Sequence, residues 1–186
     1  MEKIKSPTGI LEAEHRSIEK VVSAASVIAA RIEAGQEKDI ATLPKIVTFM
    51  RTYADKCHHG KEEALLFPAL LDHGVPAEGC PIGALMGEHK RGRLMVAELA
   101  EGADLYMKGD KDGKDKILRG LTGIMALYPN HIWKEDFLLF PMTMKVLDQG
   151  DQQALLEPFE KVDNEIGEDS LRDFEEFAEK MIASAD

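Results

Sequence analysis

Four histidines in this sequence stand where helical spacing turns them to one side together with a carboxylate. Imidazole nitrogen and carboxylate oxygen, without thiolate, form a donor set suited to iron and also to manganese and zinc. His58-x-x-x-Glu62 and His131-x-x-x-Glu135 place their two side chains one helical turn apart. Residues so spaced have Cβ atoms about 5 to 6 Å from one another, so each pair can offer one nitrogen and one oxygen to the same point. The two pairs belong to longer matching stretches. His58-His59-Gly60-Lys61-Glu62-Glu63-Ala64-Leu65-Leu66-Phe67-Pro68 returns 73 residues later as His131-Ile132-Trp133-Lys134-Glu135-Asp136-Phe137-Leu138-Leu139-Phe140-Pro141. Upstream, Glu14-His15 returns as Glu88-His89, 74 residues on. Each half therefore supplies His, His and Glu, and the six candidate metal ligands are His15, His58, Glu62, His89, His131 and Glu135.

The elements that must hold these residues are four long helices, arranged as two copies of one helical hairpin. Ser6-Pro7 opens the first and Gly35 closes it; Thr42 with Pro44 starts the second and His73-Gly74-Val75-Pro76 ends it. The third is expected over residues 81–107 and the fourth over 114–150. Steps of three and four give inward stripes: Leu11, His15, Ile18, Val22, Ala25, Ala29 and Ile32 on the first, and Ile82, Leu85, His89, Gly92, Val96, Leu99, Ala103 and Tyr106 on the third. The fourth gives Ile117, Leu121, Ile124, Tyr128, His131, Glu135, Leu138 and Met142. On the second, the register through Val47, Met50, Ala54, His58, Glu62, Leu65 and Ala69 is preferred to one through His59 and Glu63, which would bring Thr52 and Lys56 inward. Pro68, Pro141 and Pro129 should kink their helices, because proline lacks an N–H and its ring crowds the preceding turn.

Ionised carboxylates in an apolar helical interior are costly unless paired or metal-bound, and no lysine or arginine occupies the stripes near Glu62 and Glu135. A cation resolves the conflict. Two sets of donors meeting at one centre suit two ions about 3.5 to 4 Å apart, bridged by carboxylates and a water-derived oxygen, with positions left open for a small molecule such as dioxygen. His59 reads first as a neighbour of the inward His58, with an extra ligand or an outer hydrogen-bond donor as the lesser reading, and His73 as a turn residue. Glu14, Glu88, Glu63 and Asp136 read first as polar residues beside the stripes, with hydrogen bonding behind the ligands as the lesser reading, and Trp133, Tyr53 and the methionines as packing. Cys57 points away from the stripe and reads as structural.

A chain of 186 residues is the size of one domain. Its net charge of −11 removes the phosphate attraction on which nucleic-acid binding depends. Two cysteines, Cys57 and Cys80, make no disulfide framework, so a reducing, cytoplasmic setting is expected. Charges at the start oppose a signal peptide, and no apolar stretch approaches the roughly 20 residues of a membrane helix. Residues 1–150 read as the bundle and residues 151–186 as an acidic helical extension packed on it. The extension carries 12 acidic and 3 basic residues. Its apolar residues, among them Leu155, Phe159, Phe174, Phe177 and Met181, still recur at helical intervals.

The combination of Glu14-His15, His58-x-x-x-Glu62 with Leu66-Phe67-Pro68, Glu88-His89, and His131-x-x-x-Glu135 with Leu139-Phe140-Pro141 resembles the hemerythrin-like family of HHE cation-binding domains over residues 8–150. The resemblance implies an all-α, up-down four-helix bundle around a non-haem di-iron centre with an oxo or hydroxo bridge, binding dioxygen, nitric oxide or peroxide for sensing, storage or detoxification. It carries the family's ligands onto the same six residues. A di-iron oxidase or peroxidase, or an iron-homeostasis protein, is the alternative, and whether the protein is an enzyme stays open. Oxygen-carrying hemerythrins have a second histidine on the third helix and use an aspartate five residues after the last histidine. Here Leu85 and Arg93 flank His89 by one turn, and Glu135 holds the inward place beside Asp136. Such a carboxylate-rich site favours oxidised metal and consumption of oxygen or peroxide. The cysteine-bearing N-terminal region of the family's iron–sulfur repair members is not seen, so that role is not expected.

Overall fold

The computed structural model describes residues 6–36 and 40–183; the charged start of the sequence and the last residues of the acidic segment lie outside that range. Among the described residues the chain forms helices and no strand. Helix α1 is Pro7–Glu33, capped by Ser6, whose hydroxyl accepts the Gly9 N–H at 3.1 Å, with Pro7 pre-set for the first turn. Helix α2 covers residues 43–72, α3 is Ile82–Met107, α4 covers residues 112–146, α5 is Gln149–Ile166 and α6 is Glu168–Ala183. The first four form an up-down bundle, and α5 and α6 lie against it.

Helices α2 and α4 are not uniform. In α2 the turns widen to π geometry over Met50–His59 and again over Glu62–Leu66, and in α4 over Glu135–Leu139. The last two are repeat-equivalent, and each immediately precedes a Phe-Pro pair. Pro68 and Pro141 have no N–H to give to the carbonyl four residues back, and their rings would press on it. The chain accommodates them by inserting a residue: the Phe67 N–H reaches back five residues to the Glu62 carbonyl, and the Phe140 N–H to that of Glu135. Pro129, in contrast, leaves Asp112–Lys134 continuous.

The inserted residue slips the register by one, which overturns part of the expected stripes. Up to Glu62 and Glu135 the stripe residues are buried as expected. Beyond them Leu138 is 53% exposed while Leu139 is fully buried. In α2, Leu66 and Leu70 replace Leu65 and Ala69 in the core. Trp133, expected to pack, is half exposed against Phe137.

Helix α4 ends at Val146, earlier than expected. Leu147 turns to extended backbone, and Asp148 caps α5 through a reciprocal hydrogen-bond box with Asp151, so Gly150 falls in the first turn of α5. Gly167, at φ 94°, then separates α5 from α6.

Two apolar clusters fill the bundle. One gathers Ile18, Val22, Phe49, Tyr53, Val96, Leu99, Leu121 and Ile124, and α6 closes it with Phe174, Phe177 and Met181. The other gathers Leu11, Leu66, Phe67, Leu85, Leu139 and Phe140, and α5 closes it with Leu155 and Phe159. Between them lies a layer of buried polar side chains: Glu14, His15, His58, His59, Lys61, Glu62, Glu88, His89, His131 and Glu135. Among the described residues, no helix is long and apolar enough to cross a membrane.

Candidate metal centre

All six residues expected from the sequence converge on this layer, each no more than 3% exposed. They arrive from four helices: His15 from α1, His58 and Glu62 from α2, His89 from α3, His131 and Glu135 from α4. A seventh joins them. His59 is 2% exposed and its ring stacks on that of His89 at 3.8 Å between centroids. The wide turns of Met50–His59 rotate the chain less per residue than an α-helix does, so the neighbours His58 and His59 can both face inward. A strict 3.6-residue period forces a choice between them, which is why the sequence alone left His59 open.

The donors fall into two groups, His59, His89 and His131 in one, and His15, His58, Glu62 and Glu135 in the other, with the nitrogen and oxygen atoms of each group within 4.8 Å of one another. Glu62 and Glu135 lie between the groups. His89 Nε2 is 3.5 Å from Glu62 Oε2 and 3.7 Å from Glu135 Oε1, while His15 Nε2 is 3.1 Å from Glu135 Oε2 and His58 Nε2 is 3.7 Å from Glu62 Oε2.

What orients the imidazoles is a ring of carboxylates behind them. The Nδ1–H of His15 donates to Asp136 at 2.6 Å, that of His58 to Glu14 at 3.0 Å, that of His89 to Glu63 at 2.7 Å and that of His131 to Glu88 at 3.0 Å. His59 Nδ1–H donates to Asp55 at 3.2 Å. Each carboxylate is held in turn by a cation: Arg16 on Asp136, Lys61 on Glu14, Lys134 on Glu88, and Arg93 on both Glu63 and Asp55. Glu14, Glu63, Glu88 and Asp136 are thus outer partners of the imidazoles, the lesser of their two readings from sequence. The repeat carried a signal for them, since Glu14 matches Glu88, Lys61 matches Lys134 and Glu63 matches Asp136.

With every Nδ1 protonated and donating, every Nε2 presents a lone pair inward, the tautomer that binds metal. Three of those nitrogens and the inner carboxylates find no hydrogen-bond partner: Nε2 of His59, His89 and His131 and both oxygens of Glu62 and of Glu135. The His15 and His58 Nε2 atoms face each other at 3.0 Å, and two acceptors cannot bond to one another. A cation beside them would accept both lone pairs. Burial, then the neighbouring carboxylates, push Glu62 and Glu135 well above the usual carboxylate range. Burial and the surrounding imidazoles push His58 and His59 down, and burial takes His131 to about 4. Positive charge between the two glutamates relieves both strains, and the donors present fit a pair of metal ions. The fifth imidazole also revises the expectation of a carboxylate-rich site, which rested on four.

Buried lysine is present after all, but not where it would neutralise the inner pair. Lys61, fully buried, is spent on Glu14 and on Asp163 of α5. Cys57 is buried outside the centre and donates to Asp163 at 3.4 Å, in keeping with a structural role.

A four-helix bundle enclosing paired histidine and carboxylate clusters defines a class of metal-binding protein. The hemerythrin HHE cation-binding domain model matches residues 6–143, and the chain belongs to that family. Curated relatives include an uncharacterised protein of Mycobacterium bovis and uncharacterised proteins of two Mycobacterium tuberculosis strains, each 21% identical over 130 residues, or 70% of this chain. The aligned region is 50% of each relative, so the chain spans about half their length. No solved structure matches the chain.

Proposed function

We propose that the protein is a non-haem di-iron protein that binds dioxygen or a related small molecule, nitric oxide or peroxide, for sensing, storage or detoxification. The observation that carries this reading is the set of buried inward donor atoms left without hydrogen-bond partners, two fully buried carboxylates among them. His59, His89 and His131 would hold one iron, His15 and His58 the other, and Glu62 and Glu135 would be shared. Iron fits this imidazole and carboxylate set, as do manganese and zinc; family membership favours iron.

Bound there, iron would supply redox chemistry and a place for a small ligand to coordinate. The chain supplies the rest. Carboxylates behind the rings keep the Nε2 lone pairs aimed inward, and the two apolar clusters keep the layer dry. Every donor residue is nearly or fully buried, which suits a small diatomic or peroxide ligand better than a metabolite-sized substrate.

Anaerobically reduced, iron-loaded protein exposed to oxygen should gain a ligand-to-metal charge-transfer absorption. An iron-loaded sample whose spectrum does not change on exposure to oxygen, nitric oxide or peroxide would count against the reading. Sustained turnover of peroxide with a reductant, lost in His131→Ala, would identify an enzyme in place of a binder.

A further inference from the structure

The two halves of the centre are braced by equivalent relays that differ at one end. In the second half, His131 donates to Glu88, which is held by Lys134, and Lys134 is 28% exposed. In the first half, His58 donates to Glu14, which is held by Lys61, and Lys61 is completely buried. What buries it is α5. The Phe159 ring lies 5.9 Å from the Lys61 ammonium, and Asp163 Oδ1 stands 2.5 Å from Lys61 Nζ. Helix α5 lies beyond the residues matched by the family model and has no counterpart in the internal repeat.

We propose that Asp163 is a positioning residue for the metal ion at His15 and His58, acting through Lys61, Glu14 and the His58 ring, so that the C-terminal extension sets how firmly one of the two ions is held. Lys61 reaches Glu14 on one side and Asp163 on the other, and the second carboxylate pins the ammonium in place. Without it, the long lysine side chain regains its rotamers and Glu14 loses a fixed partner. The His58 ring then loses the anchor of its Nδ1–H. Removing an outer partner of a metal-bound histidine typically weakens metal binding 10- to 100-fold. The relay to His131 does not pass through α5 and should be untouched.

The inference rests on the two-ion reading, and one experiment separates the two. The full chain and its Asp163→Ala variant are loaded anaerobically with ferrous iron, and release to a chromogenic ferrous chelator is followed. Asp163 is 30% exposed, so the substitution leaves no cavity in the core. The variant should bind two equivalents and release one of them about tenfold faster, with the other at the wild-type rate. In metal-free, 15N-labelled protein, the His58 ring signals should move while those of His89 and His131 stay. Two bound equivalents that both leave at the wild-type rate, or both leave faster by the same factor, would overturn the role of Asp163 and leave the two-ion reading standing. Wild-type protein that takes up fewer than two equivalents would overturn the two-ion reading, and this inference with it.

Discussion

Each imidazole in the centre is a two-ended device, with one nitrogen fixed by a carboxylate so that the other is available. Glu88 shows what this predicts. The His131 ring beside it, and then Lys134, hold its carboxyl at about 2, against a burial effect that opposes them. Glu88→Gln should leave helical content intact while weakening binding of the ion at His131 about 10- to 100-fold, measured by competition with a chelator. Unchanged affinity would mean that the carboxylate does not orient the ring. The same residues give a pH signature. Burial holds the His131 pKa near 4, below the ordinary 6.5, so the stability it contributes to metal-free protein is complete above 6.5 and lost as pH falls toward 4. Glu62 and Glu135 are raised above 4.5, so their contribution is complete below 4.5 and lost as pH rises through their folded values. Metal cancels the second loss and competes with protons for the same ligands. The rise in thermal midpoint on adding ferrous iron anaerobically should therefore be larger near pH 7.5, at about neutral, than near about pH 5. A rise that is equal or smaller at the higher pH would contradict this. The six proposed ligands were legible in the sequence because they lie on helical stripes and repeat. Their carboxylate partners lie one residue off those stripes, where periodicity assigns them to the surface.

At the scale of the element, helix starts and stops were written in Ser6, Pro7, Pro44 and the Gly74 region, but the register after each glutamate was not. A π turn inserts one residue, and a 3.6-residue period cannot show where. The Phe-Pro pairs were the available sign, read from the sequence only as kinks. Two substitutions test the slip. Leu139→Ala should cost about 2 to 5 kcal/mol, as for a fully buried leucine, whereas Leu138→Ala should stay within about 0.5 kcal/mol. Chemical denaturation giving the reverse order would restore the uninterrupted helix. The tight approach of α3 and α4 makes a second prediction. A Cβ at Gly120 would lie 2.8 Å from the Leu99 backbone nitrogen, and one at Gly102 would lie 2.6 Å from that of Ile117. Gly120→Ala should lower stability by about 1 to 3 kcal/mol, since backbone cannot step aside as a side-chain tip can. A neutral effect in the same assay would show that the helices separate freely.

The whole molecule is organised around an expense, a polar layer between two apolar clusters that have to make the helices associate. Its acidic extension was visible as a charge run with helical spacing, and that spacing holds: α5 and α6 turn Phe159, Phe174, Phe177 and Met181 onto the bundle and their acids mostly to water. Long-range placement was beyond the sequence, because nothing local says that Asp163 will stand beside Lys61, 102 residues away. All of this depends on positive charge at the junction of seven donors. The most direct test is an anomalous difference map from crystals of iron-loaded protein, collected at the iron absorption edge. Two peaks about 3.5 to 4 Å apart are predicted, one facing His59, His89 and His131 and the other His15 and His58, with Glu62 and Glu135 between them. A map with no peak among these side chains, or with the glutamates hydrogen-bonded to ordered water instead, would contradict it.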